Sequence, residues 1–234
     1  MSTVRKKKNK ILAGLSHGDA AMLLPLLVAV DLPVRKQLEA RNRRIEHIYF
    51  LETGLASIVA SSGTNHSIEI GIIGSEGMTG LSIVMASDRS PHETFMQSAG
   101  HGWRIATADL IQAMAESDTL RDRFLRCGHA LVIQMGYTAL ANGRYKLEER
   151  LARWLLMADD RSGGGDVMLT HEFLAVMLGT RRPGITAALN ELEKNSLIDS
   201  KRGAITILDR AALEETANGS YGAAEAEYNR LFGR

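Results

Sequence analysis

The residues best equipped for specific polar recognition are two adjacent arginines, Arg181 and Arg182. A guanidinium offers a planar fork of donors that can meet two acceptors at once, so it suits a carboxylate, a phosphate or the acceptor edge of guanine. Thr186 and Asn190 follow Arg182 at spacings of four and eight, which on a helix places all three on one face. Asparagine in such a position can pair with adenine, and threonine with either kind of base edge. Further on, Lys201-Arg202-Gly203 sets two more cations beside a turn-forming glycine. The set combines side chains fit for base edges with cations fit for phosphates.

Such side chains need a scaffold. From Leu169 to Leu208 the chain reads LTHEFLAVMLGTRRPGITAALNELEKNSLIDSKRGAITIL. Thr170 is suited to cap a short helix that carries Glu172, Leu174, Met177 and Leu178. Gly179 falls where a tight turn between helices needs a residue tolerant of positive φ. Thr180 is expected to cap the second helix, with Pro183 accepted in its first turn. Ile185, Ala188, Leu189 and Leu192 stand at i, i+3, i+4 and i+7, so they bury one face and turn Pro183, Thr186, Ala187, Asn190 and Lys194 outward. The segments 197–200 and 204–208 read as a hairpin with a basic tip. Helix, glycine turn, helix and hairpin make a winged helix-turn-helix. Its expected DNA-binding residues are Thr180, Arg181, Arg182, Thr186, Asn190, Lys201 and Arg202. The competing reading is a small helical packing module whose arginines are merely solvated.

Composition limits the alternatives. The net charge is only +1, so a basic surface has to be local. With 45% apolar and 24% charged residues, the chain is globular rather than disordered. A single cysteine, Cys127, excludes an internal disulfide and a cluster or zinc site built on thiolates. It reads as a packing residue in a reducing compartment, and the expected location is cytoplasmic. The longest apolar stretch, 20–30, is too short for the ~20 residues a spanning helix needs, and it reads as a core helix. Arg5 to Lys10 reads as a solvated tail; Ser16, His17 and Asp19 interrupt any signal-peptide core. No membrane partner is expected. The seven histidines form no helix-spaced pair with a carboxylate, and no nucleophile triad, phosphate loop or paired-carboxylate site stands out. Metal and catalytic residues are therefore expected to be none, and the chain is not expected to be an enzyme.

Two further textures precede the helix-turn-helix. Between about 33 and 108, short apolar runs at 48–51, 55–60, 68–73 and 95–99 alternate with turn residues, as in a β-sandwich or barrel. From Thr107 to Arg161 the pattern is helical. Phe124, Leu131 and Thr138, with Gly128, Met135 and Asn142 interleaved, form a heptad-like stripe. One reading makes these six the interface of a dimer; the other packs the helix on its own domain. The glycine loop 162–166 separates these helices from the last module.

Several of these segments together resemble the Crp/Fnr family of bacterial-type transcription regulators. LGTRRPGITAALNELEKNSLI is similar to that family's helix-turn-helix; IYFLETGLASIV and IEIGIIGSEGMTGLSIVMASDRSPH are similar to its N-terminal effector domain. The resemblance implies an α+β chain: a cyclic-nucleotide-binding-like β-roll at 1–115, a long dimerisation helix at 116–145 and a winged helix-turn-helix domain at 146–234. It implies a homodimer on a two-fold symmetric DNA site, under the control of a small effector. RNA polymerase is a further partner if the chain activates, although no spacing locates a surface for it. Arg182 matches the family's principal DNA-contacting arginine, but the next two reading positions are Pro183 and Ala187, which donate no side-chain hydrogen bond. The nearest equivalents of the effector pocket are Gly74, Glu76, Gly77, Arg89 and Ser90. Their spacing is longer than the nucleotide-binding pattern, so a cyclic mononucleotide is disfavoured as a cofactor. The alternative function is a ligand-sensing module acting through protein partners, with a weak or vestigial DNA-binding domain.

Overall fold

The structure is a computed structural model that describes residues 8–62, 66–162, 167–201 and 203–233. Arg202, the tail before Lys8 and the glycine loop at 163–166 lie outside the described residues. In chain order the elements are α1 (Lys10–Ala13), α2 (His17–Leu23), β1 (Val28–Leu32), β2 (Gln37–Glu39), β3 (His47–Leu51), β4 (Leu55–Ser61), β5 (Ser67–Ile73), α3 (Leu81–Val84), β6 (Glu93–Ser98) and β7 (Gly100–Ala106). The helical part follows with α4 (Thr107–Glu116), α5 (Asp118–Arg144) and α6 (Leu147–Ser162). The last module holds β8 (Val167–Met168), α7 (His171–Met177), α8 (Arg182–Lys194), β9 (Ile198–Lys201), β10 (Ala204–Ile207), α9 (Arg210–Thr216) and α10 (Ala223–Phe232). The strands form three sheets, in the orders β1-β7-β3, β2-β6-β4-β5 and β8-β10-β9. The α+β architecture read from the sequence is present.

Two expectations fail locally. The apolar run at 20–30 is not one helix: α2 stops at Leu23, a single 3₁₀ turn containing Pro25 follows, and β1 starts at Val28. Proline removes a donor and restricts the residue before it, which is enough to end the helix. The strand β7 escapes sequence reading because its first half, Gly100-His101-Gly102, lacks an apolar alternation. Backbone contact explains the glycines: a Cβ at Gly102 would come within 2.3 Å of the Phe50 carbonyl oxygen.

The chain divides into two compact units, 1–57 with 73–129, and 58–72 with 130–234. In the first, Phe50 of β3 and Phe124 of α5 are both fully buried with ring centroids 6.1 Å apart. The buried Asn9 caps α1 and donates from Nδ2 to the carbonyls of Leu51 and Gly77, at 2.9 and 2.8 Å.

In the second unit, α6 is buried along eight consecutive residues, Leu151 to Ala158. One of them is Arg153, whose guanidinium donates to the Ser220 carbonyl at 2.9 Å and to Thr138 Oγ1 at 3.3 Å. The outer half of the β4–β5 hairpin belongs to this unit too. Gln134 of α5 grips Ile72 as a strand would, accepting from its N–H at 2.7 Å and donating to its carbonyl at 3.1 Å. That contact satisfies backbone groups on β5, an edge strand. Trp154 Nε1 donates to the buried Glu69 at 2.6 Å. No helix among the described residues is long and apolar enough to cross a membrane.

Since Phe124 fills the interior of its own chain, Phe124→Ala should lower stability by about 3–5 kcal/mol. Denaturant unfolding at several protein concentrations checks this. The loss should be independent of concentration; a loss that grows on dilution would place Phe124 between two copies instead.

Candidate nucleic-acid interface

The helix-turn-helix is built from local signals. Thr170 Oγ1 accepts from the Phe173 N–H at 3.2 Å and so caps α7. Leu174, Ala175, Met177 and Leu178 are buried, and the chain reverses at Gly179 with φ +57. Arg150 of α6 donates to the Leu178 carbonyl and so holds the end of α7. This anchor spans 28 positions and carries no periodic signal in the sequence. Thr180 does not cap α8. The capping position is Arg181, which makes no side-chain capping bond, and Pro183 sits in the first turn. Ile185, Ala188, Leu189 and Leu192 are at most 1% exposed, and full burial of each large aliphatic side chain contributes about 1.5–3 kcal/mol. That quartet fixes the rotation of α8, and the outward face is the one carrying Arg181, Arg182, Pro183, Ala187, Asn190 and Lys194.

β9 and β10 pair antiparallel from Ile198↔Ile207 to Lys201↔Ala204, and β8 adds a third strand through Met168↔Ala204. Glu193 of α8 accepts from the Ser200 N–H at 2.9 Å, which ties the hairpin to the helix. Between them lies an open groove of about 680 Å³. It is lined by Thr170, His171 and Glu172 at the start of α7, by Arg182, Asn190 and Glu193 of α8, and by Ser200 and Lys201 of β9. Arg181 and Arg182 are exposed, and among the described residues neither is paired with a carboxylate. Lys201 is paired with Asp199 at 2.7 Å, but both side chains are exposed. An exposed pair is worth at most about 1 kcal/mol, so a phosphate can compete for the lysine.

Thus the structure brings Arg182, Asn190 and Lys201 to one groove, with Arg181 beside it. Thr180 is half-buried in the turn. Thr186 is half-buried with its hydroxyl 3.2 Å from the Arg182 carbonyl and 3.2 Å from His171 Nδ1. Sequence reasoning misses His171 and Glu172 as groove residues, because a histidine and a glutamate at a helix start look like ordinary solvated side chains.

Residues 149–216 match the family model described as the Crp-like helix-turn-helix domain. Solved structures extend the likeness to most of the chain. FixK2 from Bradyrhizobium japonicum has a TM-score of 0.71 at 15% identity, covering 81% of this chain and 96% of that one. A CRP-family transcriptional regulator from Thermus thermophilus gives 0.70 at 18% identity, covering 83% and 99%. A protein from Eubacterium rectale, described as a regulator of the crp/fnr family, gives 0.69 at 20% identity, covering 88% and 96%. The chain has the fold of a Crp/Fnr transcription regulator, with a Crp-like helix-turn-helix. No curated protein sequence matches the chain significantly.

In this Crp/Fnr fold the expected effector residues do not converge. Gly74 donates to Glu76 Oε1 at 3.3 Å, while the carbonyls of Ser75 and Gly77 are held by the Lys10 N–H and by Asn9 Nδ2. Arg89 is exposed and bonded through two nitrogens to its neighbour Asp88, at 2.9 and 3.2 Å; that bond holds the Asp88 carboxyl below its usual range. Ser90 is buried and accepts from the His92 N–H. The acid that sequence reading misses is Glu39, buried and accepting from the Gly80 N–H and from Thr94 Oγ1. Burial pushes its carboxyl up.

The expected dimer stripe also faces inward. Phe124 packs against Phe50 with its ring tilted, and Gly128 lies against Leu81, where a Cβ would be 3.0 Å from Cδ1. Leu131 and Met135 pack against Gly71, Thr138 meets Arg153, and Asn142 is half-buried. Heptad spacing cannot say which of two neighbouring stripes faces in, and here the own-chain packing took the expected one. The exposed stripe is shifted by one residue: Leu125, His129, Val132, Gly136, Ala139 and Gly143.

Cys127 is buried beneath the loop at 76–78, and burial, with Glu76 nearby, pushes its thiol up to about 12. The thiolate is the reactive form. Cys127 should therefore resist a thiol reagent at neutral pH in the folded protein and react promptly once denatured; rapid labelling of the native protein would contradict the buried placement.

Proposed function

We propose that the chain is a DNA-binding transcription regulator that grips a two-fold symmetric operator as a homodimer. The observation that carries this is the pair Arg181 and Arg182, exposed at the start of α8 beside a groove shared with Asn190 and Lys201. Arg182 and Asn190 supply base contacts; Arg181, Lys201 and Arg202 supply phosphate contacts. Pro183 and Ala187 offer only apolar contact to thymine methyls, so part of the specificity rests on DNA deformability. Thr180 supports the turn and makes no base contact.

Two copies meet along α5. The stripe 125, 129, 132, 136, 139, 143 alternates steps of four and three, the spacing of a coiled-coil seam. Leu125 and Val132 are 44% and 42% exposed, unusual for large aliphatics on a helix, and Leu140 beside them is 45% exposed. Nothing lies within 4 Å of where a Cβ would stand on Gly136 or Gly143, which leaves room for close backbone approach. Phe124, Gly128, Leu131, Met135, Thr138 and Asn142 support this helix from behind.

Small-effector control belongs to the same proposal. Before meeting a ligand, the Ser75 and Gly77 carbonyls of the 74–77 loop have to be released from Lys10 and Asn9, and Arg89 from Asp88, so a cyclic mononucleotide stays disfavoured. A cytoplasmic location and an RNA polymerase contact follow from the regulator reading.

The test is Arg182→Ala in equilibrium titrations of the full-length protein against a duplex recovered by selection, over a salt series. Loss of a base contact should cost about 1–3 kcal/mol per half-site and relax sequence preference at one symmetric position. Undiminished affinity with unchanged preference would overturn the assignment.

A further inference from the structure

Beside the arginines lies a side-chain pair on the groove that the recognition scheme leaves unused. His171 Nδ1 stands 3.2 Å from Thr186 Oγ1, which itself stands 3.2 Å from the Arg182 carbonyl oxygen. A hydroxyl has one proton to give. When it goes to the Arg182 carbonyl, Nδ1–H donates to the threonine and Nε2 presents a lone pair. When it goes to Nδ1, Nε2 presents an N–H. In both arrangements Nδ1 is committed to the protein, and Nε2 is the ring nitrogen left over. Among the described residues it has no hydrogen-bond partner, and His171 lines the groove with Arg182, Asn190 and Lys201.

We propose that His171 is a proton-linked contact of the DNA interface, oriented by Thr186, which acts as a positioning residue and does not read a base itself. The inference rests on the DNA-binding reading above. Phosphate oxygens and purine N7 are acceptors, so DNA selects a state in which Nε2 carries a proton, either the neutral Nε2–H tautomer or the imidazolium. Among the described residues, the charged groups that line the groove with His171 are Glu172 on its own helix, Arg182 and Glu193 on α8, and Lys201 on β9. They are two acids and two bases, so the phosphates brought in by DNA are the added charge. Those phosphates favour the imidazolium, a nearby opposite charge stabilising the charged form. Binding therefore takes up protons and tightens as pH falls through the histidine range.

The experiment uses the full-length protein and the symmetric duplex that the wild type recovers from a randomised pool. Affinity is measured by fluorescence anisotropy at constant ionic strength, from about pH 5.5 to about pH 8. The wild type should bind about three- to tenfold more tightly at the acid end. His171→Gln, which keeps a polar side chain but does not titrate, should give a flat profile with an unchanged melting curve. Thr186→Val should flatten the profile in the same way, and it carries the test if His171→Gln does not fold. Wild-type and variant profiles that run parallel would overturn the role of His171 while leaving DNA recognition standing. A wild type that recovers no preferred sequence would overturn the DNA-binding reading itself, and this inference with it.

Discussion

By sequence, the unit that holds α7, α8 and the wing, residues 58–72 with 130–234, carries 13 Lys and Arg against 15 Asp and Glu. Attraction for a polyanion cannot come from that unit as a whole. It has to come from where a few cations are held, and from where the acids are kept. Each phosphate neutralised releases counterions and contributes to affinity, so the number of cations that reach DNA at once limits binding. This scarcity sets the terms for the rest of the structure.

The acids of this unit are mostly committed. Asp159, Asp160 and Glu214 surround Arg210 at 2.6, 2.7 and 3.0 Å, with Tyr221 bonded to both Asp160 and Arg210. Glu69 holds Trp154, and Glu193 holds the Ser200 N–H. Asp159, Asp160 and Glu214, paired with Arg210, join α6 to α9 and do not line the groove; Glu193 ties the wing to α8 but stays on the groove as an acid. Arg150 and Arg153 are likewise spent on carbonyls of the Leu178 turn and of Ser220. On the proposed reading, the cations that meet DNA are the short set at the start of α8 and on the wing, those of α8 turned outward because Ile185, Ala188, Leu189 and Leu192 are packed inward.

Much of this was legible in the residues. The spacing of the apolar quartet, the Thr170 cap, Gly179 and the Lys201–Gly203 turn fix the helix-turn-helix and hairpin within a residue or two, because each is a short-range effect. Four strand runs and the helical stretch after Thr107 were legible for the same reason. What failed depends on distant partners. Gly100 and Gly102 look like turn residues until Phe50 and Thr53 lie across from them. The stripe through Phe124 has the right period for an interface, but period does not reveal that Phe50 and Leu81 already cover it. His171 carries meaning only once Thr186 is brought beside it. The loop at 74–77 reads as a ligand loop until Asn9 and Lys10 are found on its carbonyls.

On the proposed reading, with so few cations per copy, useful affinity for DNA depends on two copies acting together, which converts the second half-site contact into an intramolecular one. The exposed face of α5 is the element available for that pairing. The most direct measurement is analytical ultracentrifugation of wild type and Val132→Asp at micromolar concentration, alongside titration of both with the selected symmetric duplex. Pairing through α5 predicts a wild-type dimer and a folded, monomeric variant whose DNA affinity falls by a hundredfold or more, roughly the lower end of the gain from linking two sites. A wild type that is monomeric yet binds the duplex tightly, or a variant that stays dimeric, would contradict it.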